Sequence, residues 1–145
     1  MIPALLDDGL GFNLYRAGLL MRRELMRALA DHGMTPEQWQ VMVTLWEAGN
    51  PVSQREIGQM LLKDKPTVSR IIRRLERDGW VKKAGDPQDA RVTLIRLTPE
   101  GTDLKRVVPR KLFKHFDDIV KDFSEREIEA LLRGLKKLRR VLGDA

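Results

Sequence analysis

The amino-acid sequence predicts a mainly α-helical fold with one small β-hairpin, and three observations lead there. Apolar residues recur at the helical period of 3.6 along most of the chain. Three of the helical stretches open with a Ser or Thr followed three residues later by Gln or Glu, the spacing of a capping box: Thr35 with Gln38, Ser53 with Glu56, Ser124 with Glu127. Beyond Gly79 the period changes to that of strands, in two short runs around a Gly, Asp and Pro-rich loop.

The elements follow in order. From Leu10 to Asp31, Leu10, Leu14, Ala17, Met21, Leu25, Ala28 and Leu29 share one broad stripe, and Gly33 stands where a left-handed cap would end the helix. "TPEQWQVMVTLWEAG" places Thr35 at the N-cap and Pro36 at the first helical position. Trp39, Met42, Val43 and Trp46 supply its stripe, which reads as core, and Gly49 ends it. "SQRE" opens a third helix with Ile57, Met60 and Leu61 inward. A turn over Leu62–Asp64 leads to "KPTVSRIIRRLERDGW". There Val68, Ile71, Ile72 and Leu75 fall on one stripe, with Arg70, Arg73 and Arg77 opposite and Thr67, Ser69 and Arg74 on the flanks.

Two helices joined by a short turn are a helix-turn-helix. The runs Trp80–Lys83 and Arg91–Thr98 then form a hairpin, which makes residues 35–98 a winged helix. The tip carries Arg91 beside Asp86 and Asp89, so it is not a purely basic finger. Helix restarts at Thr98 with Leu104, Val107, Val108, Leu112, Phe116, Ile119 and Val120 on one face, and Pro109 should kink or interrupt it. The last helix aligns Ile128, Leu131, Leu132, Leu135, Leu138 and Leu142. The flanking helices, 10–32 and 99–143, are more apolar than the winged helix needs. Burial against a second copy of the chain accounts for the surplus.

Composition narrows the function. The 145 residues suit a single domain spanning 1–145, and a net charge of +6 makes polyanions the natural partners. Binding to a membrane surface, or a merely basic protein, are the other readings of that charge. There is no Cys, which removes disulfide, thiol-nucleophile, thiol-redox and thiolate-zinc chemistry. His32 and His115, far apart in sequence, make no metal site, and no cofactor motif, phosphate loop or ordered nucleophile–base pair appears, so no enzyme is expected. No apolar run is long enough to span a membrane and "MIPALLDDGLGF" lacks a basic n-region, so the expected location is the cytoplasm.

Four blocks, "MTPEQWQVMVTLWEAG", "SQREIGQML", "DKPTVSRIIRRLERDGWVKK" and "DPQDARVTLIRLTPEG", resemble the MarR family of winged-helix regulators, in order and nearly end to end. The wing block is the most specific, with its D-x-R, short strand, Leu-Thr and Gly. The resemblance implies a homodimer held by the first and last two helices, reading a pseudo-palindromic operator in double-stranded DNA, with repression as the usual mode. It makes the helix from Lys65 the recognition helix and sends Arg91 to the minor groove. It also implies that Asp64 pairs with Arg91, with Asp89 as a further support.

On that helix, Thr67 and Ser69 can meet base edges or phosphates, and Arg70 and Arg73 have the reach for guanine O6 and N7. Arg74 and Arg77 are placed for phosphates. A small-molecule effector between the dimer helices and the winged helix would regulate by favouring one spacing of the recognition helices. Tyr15, Arg16 and Trp39 are the candidates for its pocket, with plain packing or surface roles as the competing reading. The rival functions are an architectural DNA-binding protein without effector or strict operator, and a protein-interaction module on the same fold.

Overall fold

A computed structural model describes residues 1–49 and 51–144. The described chain falls into two compact units, Met1–Leu112 and the segment from Phe113 onward. The first contains α1 (Ala4–Asp7), α2 (Leu10–Leu29), α3 (Pro36–Ala48), β1 (Val52–Ser53), α4 (Gln54–Leu61), α5 (Lys65–Arg77), β2 (Val81–Gly85), β3 (Thr93–Leu97) and α6 (Pro99–Asp103). Helix α7 (Val108–Ile119) crosses the boundary and α8 (Glu125–Val141) lies wholly in the second.

The helix signals act as the sequence predicts. All three capping boxes form with both reciprocal bonds, and Gly33 and Gly49 adopt the left-handed conformation (φ 61° and 72°) that ends a helix. The core of the first unit is made by Leu29, Val41, Met42, Leu45, Ile57, Val68, Ile72, Leu75, Ile95 and Val108, all buried. Within α3 the buried stripe is Val41, Met42, Leu45 and Trp46, while Trp39 and Val43 are only half-buried. Trp39 instead meets the edge of Trp46, with ring centroids 5.9 Å apart.

The sheet has a third strand that the sequence did not announce. Val52 and Ser53 pair with Ile95 and Leu94, giving the antiparallel order β1-β3-β2 with β3 in the centre. Two residues are too short for a period-2 signal. The hairpin register runs from Val81↔Leu97 to Gly85↔Thr93, so β2 extends two residues past Lys83. Arg91 falls outside β3, because the tip is folded on its own side-chain bonds. Near Pro109 the helix is interrupted. A 3-10 turn over Leu104–Arg106 intervenes, and Pro109 sits in the first turn of α7, where its missing N–H leaves no helical bond unmade.

Candidate nucleic-acid interface

Helix α4 stops because Leu62 turns left-handed (φ 53°) and Lys63 N donates to the Gly58 carbonyl at 3.2 Å. At Gly58 α4 packs against α5 and the turn: an added Cβ would lie 3.4 Å from Val68 Cγ2 and 3.5 Å from the Lys63 oxygen. Helix α5 then starts on Asp64, whose Oδ1 accepts from Thr67 N at 2.8 Å, with proline in the first turn. Hydrogen bonding to Thr67 holds the Asp64 carboxyl below the usual carboxylate range.

The two faces of α5 separate as predicted, except that Ile71, expected on the buried stripe, is only half-buried. Val68, Ile72 and Leu75 are buried, and Arg70, Arg73, Arg74 and Arg77 are exposed around a shallow cleft of their own. Local bonds orient three of the four: Arg70 Nη2 donates to Thr67 Oγ1 (3.3 Å), Arg73 Nε to the Ser69 carbonyl (3.5 Å), and Arg77 Nε lies 3.6 Å from Asp78. Ser69 Oγ accepts from Gln54 Nε2 at 2.9 Å, which ties its side chain to α4 and leaves its O–H to donate. Thr67 likewise serves as acceptor for Arg70.

The wing tip explains its acids. Asp86 Oδ1 accepts from Gln88 N (2.8 Å), a local turn bond. Asp89 accepts from Arg91 three times, from the backbone N, Nε and Nη2, each at 3.0 Å. These bonds from the Arg91 side chain and backbone lower the Asp89 pKa, and the same pairing raises that of Arg91, whose side chain is 90% exposed. The expected Asp64–Arg91 pair is therefore not formed. Asp64 caps α5, and Asp89, two residues away from Arg91, supplies the carboxylate at little cost in loop-closure entropy.

Between the wing tip and the α4–α5 turn lies a cleft of about 1010 Å³, lined among others by Arg55, Lys63, Lys65, Asp89, Arg91 and Thr93. Arg55 and Lys63 were not singled out from the sequence. Their signal, a base two residues after a helix N-cap and another in the turn, only acquires meaning once β3 brings the wing beside them. The effector candidates are not assembled here: neither cleft is lined by Tyr15, Arg16 or Trp39. Tyr15 is 69% exposed and the Arg16 guanidinium stacks over Phe12 at 5.9 Å.

The Gly-Trp that ends α5 anchors the wing. Thr98 N donates to the Trp80 carbonyl (3.0 Å) and Thr98 Oγ1 to the Gly79 carbonyl (2.5 Å). Gly101 lies so close that a Cβ there would be 2.0 Å from the Trp80 oxygen. Its own carbonyl accepts from Trp46 Nε1 at 3.0 Å, and buried Gln38 reaches Asp78 at 3.3 Å. The end of the arginine helix, the base of the wing and α3 are thus fixed to one another by hydrogen bonds from both backbone and side chains.

Comparison with known proteins follows the same outline. The model of the MarR family matches residues 32–92. The HTH-type transcriptional regulator TtmR of Methylorubrum extorquens (strain PA1) is 38% identical over 103 residues, 71% of this chain and 52% of that protein. The uncharacterized HTH-type transcriptional regulator YwoH of Bacillus subtilis (strain 168) is 32% identical over 111 residues, 77% of this chain and 80% of that one. The solved structure of reduced AbfR bound to DNA matches with a TM-score of 0.72 at 28% identity, covering 94% of each chain.

Proposed function

Because this chain belongs to the MarR family of transcriptional regulators, we propose that it is a repressor that binds a pseudo-palindromic operator as a homodimer. The observation that carries the reading is the face of α5: four exposed arginines opposite the buried Val68, Ile72 and Leu75, beside a wing whose Arg91 is held out by Asp89. The buried stripe fixes the helix, and the exposed half enters the major groove. Arg70 and Arg73 read guanines there, Arg74 and Arg77 take phosphates, and Arg91 enters the adjacent minor groove. Lys63, Lys65 and Arg55, around the cleft, add backbone contacts.

The dimer supplies what one winged helix lacks. Leu10, Leu19 and Met26 in the first unit, and Leu131, Leu132 and Leu142 in the second, are each half exposed or more, an apolar exposure that a monomer would carry at risk of aggregation. A two-fold axis covers it and sets two α5 helices about 34–36 Å apart, one turn of DNA. A ligand that binds one spacing better than another would release the operator.

The test is selection of duplexes from a randomised pool, followed by titration with variants. Enrichment of an inverted repeat is expected. Arg70→Ala or Arg73→Ala should cost roughly 1–3 kcal/mol on the selected site and relax specificity, whereas Arg77→Ala should weaken all duplexes alike and flatten the salt dependence by about one unit of slope. No enrichment, with steep salt dependence and equal affinity for every duplex, would point instead to an architectural protein.

A further inference from the structure

Leu62 combines two unfavourable features at one point. Among the described residues it is the only non-glycine with positive φ, and it is 82% exposed. The turn needs the left-handed conformation, since Leu62 N donates to the Gln59 carbonyl (3.3 Å) and Lys63 N to that of Gly58, which frees the chain to start α5 at Lys65. Glycine or asparagine would meet that need with less steric conflict. An apolar residue at a helix end ordinarily folds back onto the helix it caps. Leu62 does not, and stands in the wall of the basic cleft with Lys63, Lys65, Arg91 and Thr93.

That position has a geometrical meaning if α5 lies in a major groove and the wing in the neighbouring minor groove. The DNA strand that separates the two grooves must then cross between them, over this cleft. Its phosphates meet Lys63 and Lys65, while Arg91 continues into the minor groove. Between successive phosphates the strand presents deoxyribose, which is apolar and has no use for a cation. We infer that Leu62 packs on the deoxyribose face of the crossing strand, as an apolar contact between the charged ones. The inference rests on the DNA-binding reading above and adds to it a sequence-independent contact that is not electrostatic. Strain kept at an exposed turn fits a residue retained for what it touches in the complex.

Leu62→Gly tests it without threatening the fold, because glycine adopts the same φ freely. Compared with wild type, this variant should melt at a higher temperature yet bind about tenfold more weakly, as expected when burial of a leucine is lost. The loss should be equal on a pool-selected duplex and on one of random sequence. The slope of log affinity against log salt should not change, since no counterion is released by a leucine. Leu62→Met, which keeps an apolar side chain of similar length, should bind as wild type does. Undiminished affinity of Leu62→Gly would overturn the inference, and so would a loss confined to the selected duplex or accompanied by a flatter salt slope. Failure of the wild type to bind any duplex would be a different result, and would remove the DNA-binding reading itself.

Discussion

Helices α5 and α8 are built alike and end differently. Each opens on a side-chain N-cap, and each carries leucines and isoleucines on one face with bases on the other. In α5 the stripe is closed off by α3, α4 and β2, leaving Val68, Ile72 and Leu75 at 1% exposure or less. No residue of α8 is buried, and Leu131 and Leu132 keep about half their surface, 53% and 50%. Amphipathic periodicity therefore states that a face is made for burial but not what buries it. For α5 the partner is in the same chain; for α8 we assign it to a second copy.

The largest expected effect comes from charging the two stripes. Ile72→Asp should leave the chain unfolded, because a carboxylate would sit in a closed core with no partner. Leu131→Asp with Leu132→Asp places charge on positions that one protomer leaves open, so loss of the dimer and of operator binding should precede loss of helical circular dichroism. A double variant that stays dimeric would detach the α8 stripe from assembly.

Two glycines sharpen the same contrast on a smaller scale. Gly101→Ala forces a methyl against the Trp80 carbonyl and should cost roughly 3 kcal/mol or more, about 10 °C in thermal melts. Gly134, inside α8, has nothing within 4 Å of an added Cβ, so Gly134→Ala should stabilise by up to about 1 kcal/mol. Destabilisation at Gly134 would place that residue in a close helix crossing between protomers.

The wing comes next. Arg91→Ala should weaken operator binding, Asp89→Ala should weaken it less, and the double variant should lose no more than Arg91→Ala alone, as expected for residues that act through one contact. Asp64→Ala should leave the Arg91 effect unchanged, since Asp64 is engaged with Thr67. Additive losses for Arg91 and Asp89 would mean that the pair opens in the complex.

The smallest effect is a pH dependence at the start of α5. The folded pKa of Asp64 lies below its ordinary 3.8, so its ionised form contributes stability above that value, and the contribution is lost as pH falls through the lower, folded pKa. Asp64→Asn keeps a cap but cannot ionise. Denaturant melts should therefore show wild type and Asp64→Asn converging below about pH 3.8. A difference that persists unchanged would locate the effect elsewhere.

Much of this could be read from the residues because caps and helical stripes are local. Thr35, Ser53 and Ser124 each fix a helix start through bonds that span three residues, and the exposed arginines of α5 follow from its period alone. What escaped the sequence depends on distant partners or on competition between near ones. Strand β1 is two residues that pair only because β3 passes beside them. The tie between Gln54 and Ser69 forms only because the α4–α5 turn brings the two side chains together. The family resemblance pairs Arg91 with Asp64, and proximity along the chain decided for Asp89. The Gly-Trp at the end of α5 reads as a stop signal, yet its larger role is the seat it makes for Gly101, 21 residues beyond Trp80 in the chain.

Sedimentation of the wild-type chain at low micromolar concentration tests the central claim most directly. The flanking stripes, paired across a two-fold axis, should bury on the order of 2,000 Å² or more and hold an obligate dimer. The expected result is a single boundary at twice the mass of 16.7 kDa that does not shift on dilution. A well-folded monomer at that concentration would contradict both the assembly and the two-half-site reading of DNA.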